Sequence, residues 1–407
     1  MSTSARLTEP LAPAAARSGI ALCLSGGGFR ALLFHLGALR RLNELGILAK
    51  VDTISATSGG SILAARLATL LSGDPAKTAA FTPEAWDELV EAPLRELTRE
   101  DLEAGVRTRR LQPWNWLRPR ASVEALAERL EERLTSLRLR DLPESPRFVF
   151  CATDRVWGVP WLYERDRIGD RQVGWATTPE DVPLARAVAA SSCYPHSINP
   201  LPTRLDPSLL TGGAAPAGRE RDASVRRLTL VDGASHAHLG LEPVWTSHST
   251  VLVSEGGALP LPRRRKSRPL HGKVELPAVD TEGQSLRKRR LVSGFTAGTI
   301  SGTFWSISSA PSSYGQRFGY AKELARDVLC SMRTGLDPVT DAEAAILRNH
   351  GYLTADAALA RHTPGLLPRI VPRLSLPFPG WSPADPKIER RVREAMARSW
   401  KSGRWRW

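Results

Sequence analysis

Between residues 20 and 72 the chain twice passes from a short apolar run, through small residues, into a stretch of helical period. The runs are "IALCLS" (20 to 25) and "VDTISA" (51 to 56). Gly26, Gly27 and Gly28 follow the first, and then Leu32, Leu33, Leu36, Leu39 and Leu42 recur at three- and four-residue intervals before Gly46. Thr57, Ser58, Gly59 and Gly60 follow the second, and "ILAARLATLL" (62 to 71) comes after them. Apolar runs bounded by glycine predict buried strands, and the leucine spacing predicts an amphipathic helix from Phe29 to Leu48. Strand, glycine loop, helix, strand, tight turn, helix is the order of an α/β protein: a three-layer α/β/α arrangement around a mostly parallel central sheet.

Further strands are expected at "RFVFCAT" (147 to 153), "RLTLVDGA" (227 to 234) and "TVLVSEG" (250 to 256). The charged, helix-periodic stretch from about 83 to 142, clearest in "VEALAERLEERLTSL" (123 to 137), reads as a helical insertion covering the sheet. Residues 1 to 19 lack the apolar centre of a signal peptide and read as a disordered lead. Residues 259 to 290 hold the basic runs "RRRKSR" (263 to 268) and "RKRR" (287 to 290) with no steady period, and read as a mobile loop. "GTISGTFWSI" (298 to 307) and "EAAILRNHGYLTADAALARH" (343 to 362) return to the fold. The Pro-rich "TPGLLPRIVPRLSLPFPGW" (363 to 381) reads as an extended wrap along a surface, ahead of a charged helix and a basic, tryptophan-containing tail. The expected plan is a lead (1 to 19), a main domain (20 to 245), its continuation (246 to 362) and a terminal extension (363 to 407).

A net charge of +14 points to an anionic partner or surface, which charge alone does not divide between lipid headgroups and nucleic acid. No recognition-helix or RNA-binding signature accompanies it, so no specific nucleic-acid partner is expected. No window holds about 18 uninterrupted apolar residues, so any membrane contact is expected to be peripheral. The four cysteines are scattered without a C-x-x-C pair, as buried reduced thiols in a cytosolic protein would be. Trp114 and Trp116 read as core, whereas Trp400, Trp405 and Trp407 among Arg and Lys have a composition suited to a headgroup boundary.

Three short motifs carry chemistry. A serine becomes a useful nucleophile when a sharp turn exposes it, a base takes its proton and donors face the developing oxyanion. Ala56-Thr57-Ser58-Gly59-Gly60 approaches G-x-S-x-G, with Ala56 and Gly60 small enough for strand and helix to pack around an elbow. The glycines at 26 to 28 open a helix, where free N–H groups favour an anionic oxygen, and Arg30 adds a positive charge nearby. A plain tight turn or a phosphate loop are the alternatives; G-x-x-x-x-G-K-[ST] is absent, and G-x-G-x-x-G fails at Ala31. Asp232-Gly233-Ala234 ends an apolar run, which places a carboxylate on the rim where open α/β sheets build their sites. A lone D-G-A is also a common turn.

Taken in order, these motifs resemble the patatin-like phospholipases, lipid acyl hydrolases that use a serine-aspartate dyad. The resemblance continues in "ATDRVWGVP" (152 to 160), "AVAASSCYP" (187 to 195), "DGASHAHLGLEPVW" (232 to 245) and "GYLTADAALARH" (351 to 362). It implies Ser58 as nucleophile, Asp232 as general base, and the backbone of Gly26, Gly27 and Gly28 as oxyanion hole, with Arg30 matching the family's basic residue. It implies no metal or other cofactor, a phospholipid or other acyl-lipid substrate, and a cytoplasmic protein working at the inner membrane face. Ala56, Ala31 and "SHAH" (235 to 238) depart from the family pattern, and Gly233 and Ala234 stand at its Asp-Gly-Gly block. His236 and His238 lack the third donor of a metal site and read as structural. An acyltransferase on the same dyad, or a non-catalytic protein binding membrane or nucleic acid through its basic loops, are the other readings.

Overall fold

A computed structural model describes residues 17–72, 81–111, 120–195, 197–257 and 278–402. Among them, ten strands form one sheet: β1 (Ile20–Leu24), β2 (Thr53–Thr57), β3 (Arg147–Asp154), β4 (Val159–Tyr163), β5 (Arg167–Asp170), β6 (Gly174–Thr177), β7 (Leu201–Pro202), β8 (Thr229–Asp232), β9 (Thr250–Glu255) and β10 (Ser301–Ser306). The main path runs β10-β9-β1-β2-β3-β4-β5-β6; off it, the short β8 pairs with β3 and β7 pairs with β8. The strands from β10 to β3 are all parallel. The mostly parallel sheet expected from the sequence therefore describes only this half. From β3 to β6 the pairing is antiparallel, because short turns can join only antiparallel neighbours, and β3–β8 and β8–β7 are antiparallel too, across longer connections.

Helices α1 (Gly28–Glu44) and α2 (Gly59–Ser72) follow β1 and β2 as the leucine pattern predicts. The expected insertion is helical: α3 (Pro83–Trp86), α4 (Ala92–Leu97), α5 (Leu102–Leu111) and α6 (Ala121–Arg133). Then come α7 (Leu184–Ser191), α8 (Arg219–Arg226), α9 (Ala278–Thr296), α10 (Lys322–Asp327), α11 (Asp341–His362) and α12 (Ile388–Ser402). Along β1 the side chains alternate between two cores. Leu22 and Leu24 face the larger one with α1, α2 and α11, while Ala21 and Cys23 face Leu239, Leu241, Val244 and Leu291. The larger core runs from Leu22 to Met396, so the C-terminal elements share it. The α1–α11 contact is backbone on backbone: a Cβ added at Gly37 would lie 1.9 Å from the Arg348 carbonyl oxygen, and one at Gly351 as close to that of Phe34.

One expectation needs correcting. The stretch read as a loop from 259 to 290 is helical from Ala278 onward, and α9 carries the whole "RKRR" run. Its apolar stripe is too thin to give a period, and it is fastened largely by charges: Arg287 to Glu242 at 2.8 Å, Lys288 to the buried Glu255, and Arg290 over the Trp245 ring. Leu291 is its buried apolar anchor. The Pro-rich segment does run without long regular structure, with single turns at Pro364–Leu366 and Pro379–Trp381. Residues 1 to 16, Trp114, Trp116, the run 263 to 268, Trp405 and Trp407 lie outside the described residues, as does the Trp400 side chain.

Candidate active site

Two strands of opposite direction share one edge of β3. Parallel β2 comes up along it and ends with Thr57 opposite Cys151; antiparallel β8 comes down and ends with Asp232 opposite Ala152. The other edge is occupied by β4, which pairs with residues 150 to 154. The carboxyl ends of β2 and β8 therefore meet head-on, one residue apart in register. That is how positions 58 and 232 become neighbours. Asp232 does sit at a strand's carboxyl end, as the sequence indicates, but not on the rim of a parallel sheet; its strand runs the other way.

At the meeting point Ser58 Oγ donates to Asp232 Oδ2 at 2.8 Å. Ser58 has φ 51°, alone among the described non-glycine residues in taking a positive φ. Such a conformation costs on the order of 1–3 kcal/mol and persists only where its surroundings hold it. The restraints are visible. The Ser58 N–H donates to Ser191 Oγ at 2.8 Å, and Ser191 Oγ itself donates to the Cys151 carbonyl at 2.6 Å and lies 2.8 Å from Ser61 Oγ. On the far side the Ser58 carbonyl accepts from Ser61 N–H at 2.8 Å, which starts α2. Ala56 stays in strand register between Leu24 and Phe150, so alanine in place of the motif's first glycine does not prevent the elbow.

The glycine loop closes over this elbow. A Cβ at Gly26 would come within 3.1 Å of Ser58 Cβ and 2.9 Å of Ala234 Cβ, and one at Gly59 would lie 2.1 Å from the Gly28 carbonyl. Gly26 N–H is committed: it donates to the His238 carbonyl at 3.2 Å. Of the three glycines proposed as donors, this one is thus occupied. Gly27 (φ 130°) and Gly28 (φ 58°) stand at the start of α1, and their N–H groups have no acceptor among the described residues. Two amides at the positive end of a buried helix suit an oxyanion.

Arg30 departs from its expected place beside them. Its guanidinium donates to the carbonyls of Gly256, Cys330 and Met332 at 2.6–3.0 Å, in full burial. Burial lowers its pKa from the usual arginine value. Its role is to bind the loop after β9 and the 330–332 turn to the start of α1.

The sequence profile of the patatin-like phospholipases matches residues 22–245, more than half of the chain. The chain belongs to the patatin-like phospholipase family. No curated protein matches it. Among solved structures it is similar to human GIVD cytosolic phospholipase A2, at 14% identity and TM-score 0.44, over 93% of this chain and 63% of that one. VipD from Legionella pneumophila is similar at 15% identity and TM-score 0.34, over 86% of this chain and 68% of that one. ExoU, in its complex with SpcU from Pseudomonas aeruginosa, matches at 18% identity and TM-score 0.22, over 49% and 41%. The chain spans about three-fifths of the length of the phospholipase A2 it matches.

In this patatin-like protein the hydrogen-bonded Ser58–Asp232 pair is buried. Asp232 is buried, and burial pushes its carboxyl up to about 7, against the pull of hydrogen bonds from Ala234 N–H (2.7 Å) and Ser58. The departing "SHAH" stretch turns away to α9: His236 Nε2 accepts from Arg287 at 2.7 Å, and His238 Nε2 lies 3.7 Å from Glu255. Burial holds both imidazoles neutral, with pKa values down to about 4. Among the described residues no three His, Cys, Asp or Glu side chains gather as metal ligands would.

Ser191, whose hydroxyl holds the Ser58 N–H, is a residue that sequence reasoning did not single out. It lies in "AVAASSCYP", beside a second serine, and nothing in spacing separates the two. Only in the fold does Ser191 brace the elbow while the Ser192 hydroxyl is left without a partner.

Proposed function

We propose that this protein hydrolyses carboxylic esters of phospholipid or other acyl lipid through a Ser58–Asp232 dyad, with no histidine in the proton path. The observation that carries this reading is the 2.8 Å hydrogen bond from Ser58 Oγ to Asp232 Oδ2 at a turn of positive φ. As Ser58 Oγ attacks the ester carbonyl, the Asp232 carboxylate takes the hydroxyl proton. The amides of Gly27 and Gly28 face the oxygen that gains charge, supported by the α1 dipole. Collapse of the tetrahedral intermediate breaks the bond to the alcohol, which leaves with the proton from Asp232 while the acyl group stays on Ser58. Water then attacks the acyl-enzyme, giving a proton to Asp232; collapse of this second intermediate breaks the bond to Ser58 Oγ, which takes that proton back from Asp232 as the fatty acid leaves.

A carboxyl near pH 7 in affinity is a far better base than an exposed aspartate, which supports a dyad without imidazole. No helix among the described residues is long and apolar enough to cross a membrane. In this reading the protein meets its lipid at the surface of a bilayer, from the cytoplasm. The test is fluorophosphonate labelling with lipid product analysis. Wild type should label on Ser58 and release fatty acid; Ser58→Ala should do neither. Undiminished labelling of Ser58→Ala overturns the assignment.

A further inference from the structure

The basic runs that suggest an anionic surface in the sequence are not equally available in the fold. In "RKRR", Arg287 is spent on Glu242 and His236, Lys288 on Glu255, and Arg290 on the Trp245 ring. A second basic stretch has the opposite character. Within "RIVPRL" (369 to 374), Ile370 is 86% exposed, Val371 47% and Leu374 42%, while Arg369 and Arg373 are exposed and make no ion pair among the described residues. The remaining large exposed apolar side chains, Val156, Leu209, Leu286, Val292 and Phe318, are dispersed along the chain.

This strap is not loose chain. Arg41 donates to the Pro372 carbonyl at 2.9 Å, and Ser375 N–H donates to Tyr352 Oη at 3.1 Å. Both anchors are buried and locked: Arg41 binds Asp356 and Glu44, and the Tyr352 hydroxyl donates to Glu44. Farther on, Asn349 exchanges hydrogen bonds with the backbone of Phe378. The backbone is thus fixed on either side of Arg373 and Leu374. Pro368 and Pro372 keep it extended, so the aliphatic side chains cannot fold back onto the core.

We infer that residues 369 to 374 form a docking surface for an anionic lipid bilayer. Exposed aliphatic tips beside guanidiniums that make no ion pair among the described residues fit a headgroup layer: the tips enter the acyl boundary while the arginines meet phosphate. The +14 chain is attracted to an anionic surface, which complements these arginines. The inference rests on the lipid-hydrolase reading for the presence of such a surface. Arg41 lies near the opposite end of α1 from the glycine loop, on the order of 20 Å away at about 1.5 Å per residue. The strap therefore acts as an anchor separate from the chemistry.

The experiment is co-sedimentation of the full chain with phosphatidylcholine vesicles, with and without phosphatidylglycerol, alongside hydrolysis of a soluble short-chain ester. Wild type should prefer the anionic vesicles. The double variant I370S/V371S should bind them about tenfold more weakly, and R369Q/R373Q should lose most of the anionic preference. Both should hydrolyse the soluble ester at the wild-type rate. Unchanged vesicle binding by I370S/V371S overturns the inference. So does a wild-type dimer in sedimentation velocity that this variant converts to monomer, since the surface would then belong to a second copy. If the strap variants lose vesicle binding but wild type shows no esterase activity and no fluorophosphonate labelling, the docking surface stands and the catalytic reading falls.

Discussion

The serine elbow at 56 to 60 and the Pro-rich strap at 363 to 381 are both irregular backbone built from turn-forming residues, yet they hold their side chains in opposite ways. At the elbow, backbone and side chain are both tied. Ser58 is 6% exposed, its N–H is held by Ser191, its carbonyl by α2 and its hydroxyl by Asp232. Within the strap, the stretch 369 to 374 is tied by its backbone, through Arg41 at Pro372 and Tyr352 at Ser375, while Ile370 is left 86% exposed. Proton transfer needs donor and acceptor fixed to within tenths of an ångström, and at Ser58 the amide, the carbonyl and the hydroxyl are all held. A surface contact needs reach rather than fixed geometry.

If the elbow is the chemical end, the largest effects belong there. Asp232→Asn should lower kcat/KM by about a thousandfold or more while leaving circular dichroism unchanged, because the amide cannot take the Ser58 proton. The pH profile sharpens the point. The folded pKa of Asp232 is raised, from 3.8 to about 7, so its contribution to stability is complete below pH 3.8 and is lost as pH rises through 7. Catalysis has the opposite dependence: kcat/KM should climb as the carboxylate forms and level off above pH 7. Urea unfolding should correspondingly show Asp232→Asn gaining on wild type as pH increases from 4 to 8. An acid limb left near pH 4 would show that the base sits in a wetter site.

A smaller effect is expected one contact further out. Ser191→Ala removes the acceptor for the Ser58 N–H and should lower kcat roughly tenfold, with KM for a soluble ester little changed. Ser191→Thr, which keeps the hydroxyl, should recover much of that loss. Equal losses in both variants would assign Ser191 to packing alone. The smallest effect lies at the strap. Tyr352→Phe removes the hydroxyl that accepts from Ser375 N–H, and should destabilise the fold by about 1–2 kcal/mol. It should weaken vesicle binding without altering soluble-ester turnover. A tenfold loss of esterase activity in Tyr352→Phe would erase the distinction between the two regions.

Much of the sheet's parallel half was legible, because β1, β2, β3 and β9 are buried on both faces and so appear as short stretches rich in apolar and small residues. Strands β4 to β7 were not. "VPWLY", "RIGD" and "GWAT" are short, held by hairpin pairing rather than by an apolar run, and contain proline or glycine that reads as turn. Helix α9 was missed for a related reason: its stability comes from Arg287, Lys288 and Arg290 finding partners far along the chain, and no local period records that. The glycine loop at 26 to 28 was legible as a helix-opening turn but not residue by residue. Gly26 looks like its neighbours until the His238 carbonyl is seen on its N–H, and Arg30 looks like a site cation until its three carbonyl partners are seen.

The sequence by itself determined that the chain is an α/β protein with a nucleophile-type turn at Ser58, a glycine loop before it and a carboxylate after it, since strand burial, helix spacing and turn chemistry are local. It could not decide which serine braces the elbow, which glycine amide is free, or which basic stretch remains exposed. Those depend on what lies across a gap of many residues. The clearest case is the dyad: residues 58 and 232 touch only because β2 and β8 run toward each other along the same edge of β3, and strand direction is a property of pairing, not of composition.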